Sequence, residues 1–220
     1  MHKILFTLLL AIPFSVIAQP SLSDKNVFEF RAVWVATVVN IDWPSKQGLS
    51  SQLQKAEFEA LLDMHQKNGM NAIIMQVRPS GDALYPSSLE PWSEYLMGKQ
   101  GQAPSPYYDP LSFMIEATHQ RGMEFHAWIN PYRAVFDVNK SSIANTHLSK
   151  VHPEWFLTYG DKKYFNPGLA EVWDHTNKVV GDLVARYDID AVHMDDYFYP
   201  YKIVGKEFPD ESTFQKNARG

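Results

Sequence analysis

Two adjacent carboxylates, Asp195 and Asp196, end a short apolar run and are followed by a cluster of Tyr and Phe at residues 197–199. Val192 and Met194 alternate with His193 and Asp195, which is the period of a β-strand. Because neighbouring strand residues point to opposite faces, the two carboxylates should have different surroundings. Carboxylates beside flat aromatic rings suggest acid–base chemistry on a sugar. The alternative is that the pair only caps a helix or forms a solvated turn.

The sequence predicts strands and helices that alternate along the chain, and these elements would position the two carboxylates. Amphipathic segments with capping signals predict helices at residues 52–67, 110–120 and 169–187. Apolar segments predict strands at residues 30–39, 72–77, 124–129 and 191–194. This order predicts an α/β fold with a parallel sheet and right-handed crossovers.

The loop lengths favour a (β/α)8 barrel of the TIM type over other α/β folds. Long loops at residues 80–109 and 134–168 follow strands, whereas the returns from helix to strand are tight, as in a barrel with its site on the βα loops. A doubly wound sheet is the alternative, but no Gly-rich phosphate loop follows the first strand. A complete barrel needs ~250 residues. We therefore expect residues 30–220 to be a truncated barrel with about the first four βα units, open sheet edges and poor turnover when expressed alone.

Polar and aromatic side chains at the four strand ends should converge on one cleft, because the carboxyl ends of barrel strands share one face. The catalytic candidates are Asp195 and Asp196. A separate partner carboxylate is not obvious; Asp42 and Asp82 are the choices, and either could be structural. The candidate substrate-binding residues are Trp43, Arg78, Asp82, His126, Trp128, Asn130, Tyr132, Arg133, His193 and Tyr197.

A metal site is the alternative to direct carboxylate catalysis. His126, His193 and Asp195 could converge on a divalent ion. The chain has no Cys and no His-x-His pair, so we expect neither a metal nor another cofactor. The two histidines could instead donate hydrogen bonds to a sugar hydroxyl or a neighbour. A Gly-x-Ser-x-Gly elbow is also absent from the sequence.

Residues 1–18 are predicted to be a secretory signal, with a basic start, an apolar run too short to span a bilayer, and Ala18 before the cleavage point. Residues 19–29 are predicted to be a linker. Without Cys, the protein has neither disulfides nor a lipid-bearing cysteine at the cleavage point. We therefore expect a periplasmic or secreted protein with no stable membrane insertion after cleavage.

The composition suits one domain with a large core, at 45% hydrophobic and 14% aromatic residues. The net charge is −5, and Lys and Arg are scattered rather than clustered. The sequence therefore gives no reason to expect nucleic acid as a partner. Its aromatic content fits a polysaccharide or oligosaccharide partner.

Nine short segments of the sequence resemble those of a known protein family. They lie at residues 30–38, 40–44, 76–79, 82–85, 92–93, 109–111, 126–133, 166–168 and 193–200. In this order they resemble the bacterial glycosyl-hydrolase-like family ten, over essentially the whole chain after the signal. The resemblance implies a (β/α)8 barrel that hydrolyses O-glycosidic bonds in bacterial cell-wall or envelope polysaccharide. It also implies a catalytic Asp at the end of the fourth strand, which is Asp195 or Asp196 here.

Two alternatives remain beside the glycoside hydrolase. The first is a carbohydrate-binding protein without catalysis, either truncated or lacking a partner carboxylate. The second is a metal-dependent hydrolase such as a deacetylase, whose activity a chelator would remove.

Overall fold

A four-stranded parallel sheet forms the centre of the fold. The computed structural model describes residues 29–195 and 199–217. All neighbouring strands pair in parallel, in the order β1-β2-β3-β7. Each strand thus lies beside the next one along the chain, as in an arc of a (β/α) barrel, whereas a doubly wound sheet reverses its order. The strands are β1 (Ala32–Val35), β2 (Ala72–Arg78), β3 (Glu124–Ile129) and β7 (Ala191–His193).

Three long helices cover one face of this sheet. They are α1 (Ser51–Lys67), α3 (Pro110–His119) and α5 (Ala170–Arg186). The Asp109 side chain caps α3 by accepting hydrogen bonds from two backbone N–H groups of its first turn. The core between helices and sheet contains Phe58, Leu62, Met114, Val179 and Leu183 from the helices and Ile73, Met75, Phe125 and Ala127 from the strands.

The segment that the sequence suggested to be a long loop at residues 134–168 contains a small antiparallel sheet. Its strand order is β4-β6-β5, with β4 (Arg133–Val135), β5 (Phe156–Tyr159) and β6 (Lys162–Phe165). Gly160, with φ of 64°, makes the tight turn between β5 and β6. Strands this short carry too little periodicity to stand out in the sequence.

The first strand is shorter than predicted. β1 ends at Val35, and the chain then forms a single 3-10 turn at Val38–Asn40. Val39 and Asn40 have φ of 57° and 54°, a left-handed conformation that a β-branched residue rarely adopts. The apolar run at residues 30–39 therefore includes a strained turn at the carboxyl end of the sheet, where a barrel has its active site.

Three short helices complete the described part of the chain, α2 (Glu94–Met97), α4 (Leu148–Val151) and α6 (Glu211–Asn217). In the ranges described, none of the helices has both the length and the apolar character that crossing a membrane requires. Residues 1–28, with the predicted signal segment and nearly all of the predicted linker, lie outside those ranges.

Candidate functional site

The sheet face opposite the helices carries a row of aromatic and imidazole rings. Strand alternation places Trp34, His126, Trp128 and His193 on this face, since their neighbours in sequence belong to the helix-covered core. The Trp34 ring meets Trp128 and His193 edge-on, at centroid distances of 4.7 and 4.3 Å. Trp34 is 43% exposed whereas Trp128 is 8% exposed, so the row is open at Trp34 and buried at Trp128.

The two predicted histidines lie together in this row, with ring centroids 6.5 Å apart. His126 stacks on Phe30, and its Nε2 lies 3.0 Å from a carboxylate oxygen of Glu124. Burial and the neighbouring His126 lower the pKa of His193, against an opposing effect of Asp195. A neutral imidazole at His193 can both donate and accept a hydrogen bond, which suits a hydroxyl ligand. Among the described residues, no three His, Asp or Glu side chains are grouped to hold a metal ion.

Asp195 follows β7 and shares an electrostatic environment with Arg133 and His193. It is half-buried. Burial lowers the pKa of Arg133, and the Asp195 carboxylate is the largest opposing influence. Asp195 thus stands at the carboxyl end of the sheet beside a guanidinium and an imidazole. Asp196 and Tyr197, the other two candidates of this segment, lie outside the described residues.

A cleft of 320 Å³ opens beside Arg133, between the end of β3, the small sheet and the segment at residues 199–203. The Lys162 ammonium lies 4.4 Å from the ring centroid of Phe136, and the Arg133 guanidinium lies 5.9 Å from it. The cleft combines aromatic walls with hydrogen-bonding groups, as sugar sites require. Its lining residues include Asn130, Arg133, Phe136, Tyr159, Asp161, Lys162, Tyr164, Tyr199 and Tyr201.

Asn130 organises the start of the loop after β3. It is 1% exposed, and its Oδ1 accepts hydrogen bonds from the backbone N–H groups of Tyr132 and Arg133, at 3.2 and 2.7 Å. Tyr132 packs against the small core of Ala134, Phe165 and Val172. Asn130 therefore fixes the backbone that carries Arg133 into the cleft.

Arg78 is fully buried, so the structure gives it a supporting place instead of the predicted contact with a ligand. Its guanidinium forms a two-pronged ion pair with Glu90, with Nε at 2.7 Å from Oε2. His175 of α5 lies 2.9 Å from Oε1 of the same carboxylate. Burial alone would raise the pKa of Glu90, but Arg78 and His175 lower it to about 2.

Trp43 is 1% exposed and also differs from its predicted role as a sugar platform. Its ring packs edge-on against Phe58, and its indole N–H donates to the Gln54 carbonyl oxygen. The sequence placed Trp43 correctly after the first strand, but core packing leaves neither face of the ring open. Asp42, considered as a partner carboxylate, accepts a hydrogen bond from the Ala36 backbone N–H and braces the same turn.

Asp82 is a buried carboxyl group, 1% exposed, and it does not line the cleft. It accepts hydrogen bonds from the Ser80 backbone N–H and from the Gln100 side chain, both at 3.1 Å. Burial raises the pKa of Asp82 to about 6 despite these hydrogen bonds. The residue therefore changes charge inside the folded protein near pH 6.

We expect the pKa of Asp82 to make the protein less stable as the pH rises from about 4 to about 6. The folded state holds this proton more tightly than the unfolded state, so stability is greatest below that window. The rise in pKa from 3.8 to about 6 corresponds to about 3 kcal/mol of unfolding free energy. Asp82→Asn should remove this pH-dependent part, measured as unfolding free energy in urea from pH 4.5 to 7.5.

The exposed Asp63→Asn is the control and should keep the pH dependence of the unchanged protein. An unchanged slope in Asp82→Asn would show that Asp82 does not titrate in this window.

Several residues around the cleft were missed by the sequence reasoning, notably Glu90, Tyr159, Lys162 and Tyr164. The last three belong to β5 and β6, and the Gly160-Asp161 pair between these strands is a hairpin signal. Glu90 stands in an apolar, proline-rich stretch, and an isolated charge there is a sign of a buried partner.

Comparisons with known proteins identify the family of the chain. The family model described as glycosyl hydrolase-like 10 matches residues 29–220. The protein named glycosyl hydrolase YngK of Bacillus subtilis is 52% identical over 98% of this chain and 41% of its own length. The one named glycosyl hydrolase DigH of Escherichia coli is 37% identical over 90% of this chain and 48% of its own length. The chain thus spans less than half the length of these relatives.

Solved structures support the fold alone. An α-L-fucosidase isoenzyme 2 from Paenibacillus thiaminolyticus matches with a TM-score of 0.51 and 17% identity, over 76% of this chain and 23% of the other. A hypothetical protein from Ruminiclostridium thermocellum matches with a TM-score of 0.50 and 12% identity, over 84% of this chain and 87% of the other.

Proposed function

Because the chain belongs to the glycosyl hydrolase-like 10 family, we propose that the protein is an exported glycoside hydrolase. Its substrate would be a polysaccharide or oligosaccharide of the bacterial cell wall or envelope. The reaction would be cleavage of an O-glycosidic bond by carboxylate acid–base catalysis.

One observation carries the proposal: Asp195 stands at the carboxyl end of β7, within electrostatic reach of Arg133, beside a cleft walled by tyrosines. A neighbouring guanidinium favours the ionised form of a carboxylate, which a base or nucleophile requires. The exposed rings of Tyr199 and Tyr201, which line the cleft, supply apolar surface for a sugar ring. We propose that Asp195, with Asp196 next to it, provides the catalytic carboxylate of this strand end.

The proposal is tested with purified cell-wall glycan strands and the protein expressed from its complete gene. We expect new reducing ends to accumulate with time, and a lysozyme digest of the same glycan confirms that it is cleavable. Glycan binding without new reducing ends would favour a carbohydrate-binding protein. Release of acetate, with activity lost in chelator, would favour a metal-dependent deacetylase.

Export is a separate part of the proposal. Lys3 and the apolar run after it motivate cleavage after Ala18. We expect protein recovered from the periplasm or medium of a Sec-competent host to begin at Gln19 on N-terminal sequencing. A cytoplasmic product that still begins at Met1 would contradict export.

A further inference from the structure

The buried ion pair of Arg78 and Glu90 is hydrogen-bonded to Asn130, the residue that fixes the backbone of Arg133. Arg78 and Asn130 are joined twice: the Asn130 backbone N–H donates to the Arg78 carbonyl oxygen at 3.0 Å, and the Arg78 Nη1 donates to the Asn130 carbonyl oxygen. Arg78 is in turn held by both carboxylate oxygens of Glu90. Since the Arg78 and Glu90 side chains are both 0% exposed, water cannot replace these contacts.

The same connection continues toward the cleft. The Asn130 side chain accepts a hydrogen bond from the Arg133 backbone N–H at 2.7 Å. Asn130 and Arg133 both line the cleft, whereas Glu90 and Arg78 do not. An unbroken series of hydrogen bonds, which we call the relay, therefore runs from Glu90 through Arg78 and Asn130 to Arg133.

Helix α5 also fixes the orientation of the Glu90 carboxylate. His175 of α5 contacts its Oε1 at 2.9 Å, and the imidazole stacks on Phe165 of β6 at 6.0 Å between centroids. The Arg78 guanidinium also lies 5.4 Å from the Phe165 ring centroid. The carboxylate thus joins β2, α5 and the small sheet at the base of the cleft.

We propose that Glu90 is a positioning residue, which sets the place of Arg133 in the cleft through Arg78 and Asn130 and so determines affinity for the glycan. The proposal rests on the proposed function, because it assigns Arg133 to glycan binding. Glu90 touches no ligand itself. A purely structural Glu90 would alter stability without depending on Arg133.

Glycan affinity in a double-mutant cycle tests the proposal. In the protein from the complete gene, we expect Glu90→Gln to weaken binding of soluble glycan oligosaccharides about tenfold, through KM more than kcat. In an Arg133→Ala background, the same substitution should cause no further loss. Equal losses in both backgrounds, or no loss in a folded Glu90→Gln variant, would overturn the proposal.

Glu94→Gln is the matched control, because Glu94 is a second buried glutamate of the same loop and accepts a hydrogen bond from the Ser142 backbone N–H. It should leave affinity unchanged. If Glu90→Gln fails to fold, Asn130 provides the test. Asn130→Ala should weaken binding and Asn130→Asp, which keeps the acceptor oxygen, should restore it; equal affinities of the two would contradict the relay.

The NMR resonance of the Arg133 Nε–H group shows whether the relay or the proposed function has failed. Assigned by its loss in Arg133→Ala, this resonance should shift in Glu90→Gln and stay in place in Glu94→Gln, without any ligand. A shift in a protein that binds no glycan would keep the relay and reject the glycan assignment. An unmoved resonance would reject the relay.

Discussion

Asp195→Asn should lower glycan turnover by about three orders of magnitude while leaving glycan affinity close to that of the unchanged protein. The amide has the shape of the carboxylate but can neither accept a proton nor act as a nucleophile. It also no longer counterbalances Arg133, whose pKa the carboxylate supports. Initial rates of reducing-end release and binding isotherms on the same preparation measure the two effects separately.

Asp188→Asn is the matched control, since Asp188 precedes β7 and its side chain is 97% exposed. It should retain full turnover. Asp196→Asn should mainly lower stability or affinity, because the alternation predicted from the sequence would point the two carboxylates to opposite faces. Unreduced turnover in both Asp195→Asn and Asp196→Asn would remove catalysis from this strand end.

Arg78→Met should destabilise the protein by about 3–5 kcal/mol, the second largest effect we expect. The substitution keeps much of the side-chain volume but leaves the Glu90 carboxylate buried without its guanidinium. His175 alone cannot replace a two-pronged ion pair. Equilibrium unfolding in urea, followed by tryptophan fluorescence, measures the loss.

The double variant Arg78→Met with Glu90→Gln should recover part of the lost stability, because no uncompensated charge then remains buried. Arg31→Met removes an exposed ion pair with Glu29 and should cause a much smaller loss. A loss in Arg78→Met no larger than in Arg31→Met would show that the buried pair contributes little.

The hydrophobic periodicity of the sequence predicted the regular helices and strands of the fold. The third strand, predicted at residues 124–129, is β3 (Glu124–Ile129), and the three long helices lie within one or two residues of their predicted bounds. Such segments bury one face over several turns or alternations, so their pattern is unambiguous. The parallel α/β arrangement and the family are confirmed.

The sequence pattern did not predict how deeply the side chains near the strand ends are buried. Arg78 ends a strand and Trp43 and Asp82 follow strands, yet each of the three is 1% exposed or less. A strand end fixes the edge at which a side chain lies, whereas burial depends on loops distant in sequence. Glu90, twelve residues from Arg78, shows the same dependence, since only the folded loop brings its carboxylate to the guanidinium.

We expect the cleft beside Arg133 and Asp195 to bind the glycan that is cleaved. A crystal structure of the Asp195→Asn variant with a cell-wall oligosaccharide tests this most directly. We predict a sugar ring against Tyr199 or Tyr201, with a glycosidic oxygen within hydrogen-bond distance of residue 195 or 196. An empty cleft with the oligosaccharide ordered elsewhere, such as the groove of Trp173 and Phe214, would contradict it.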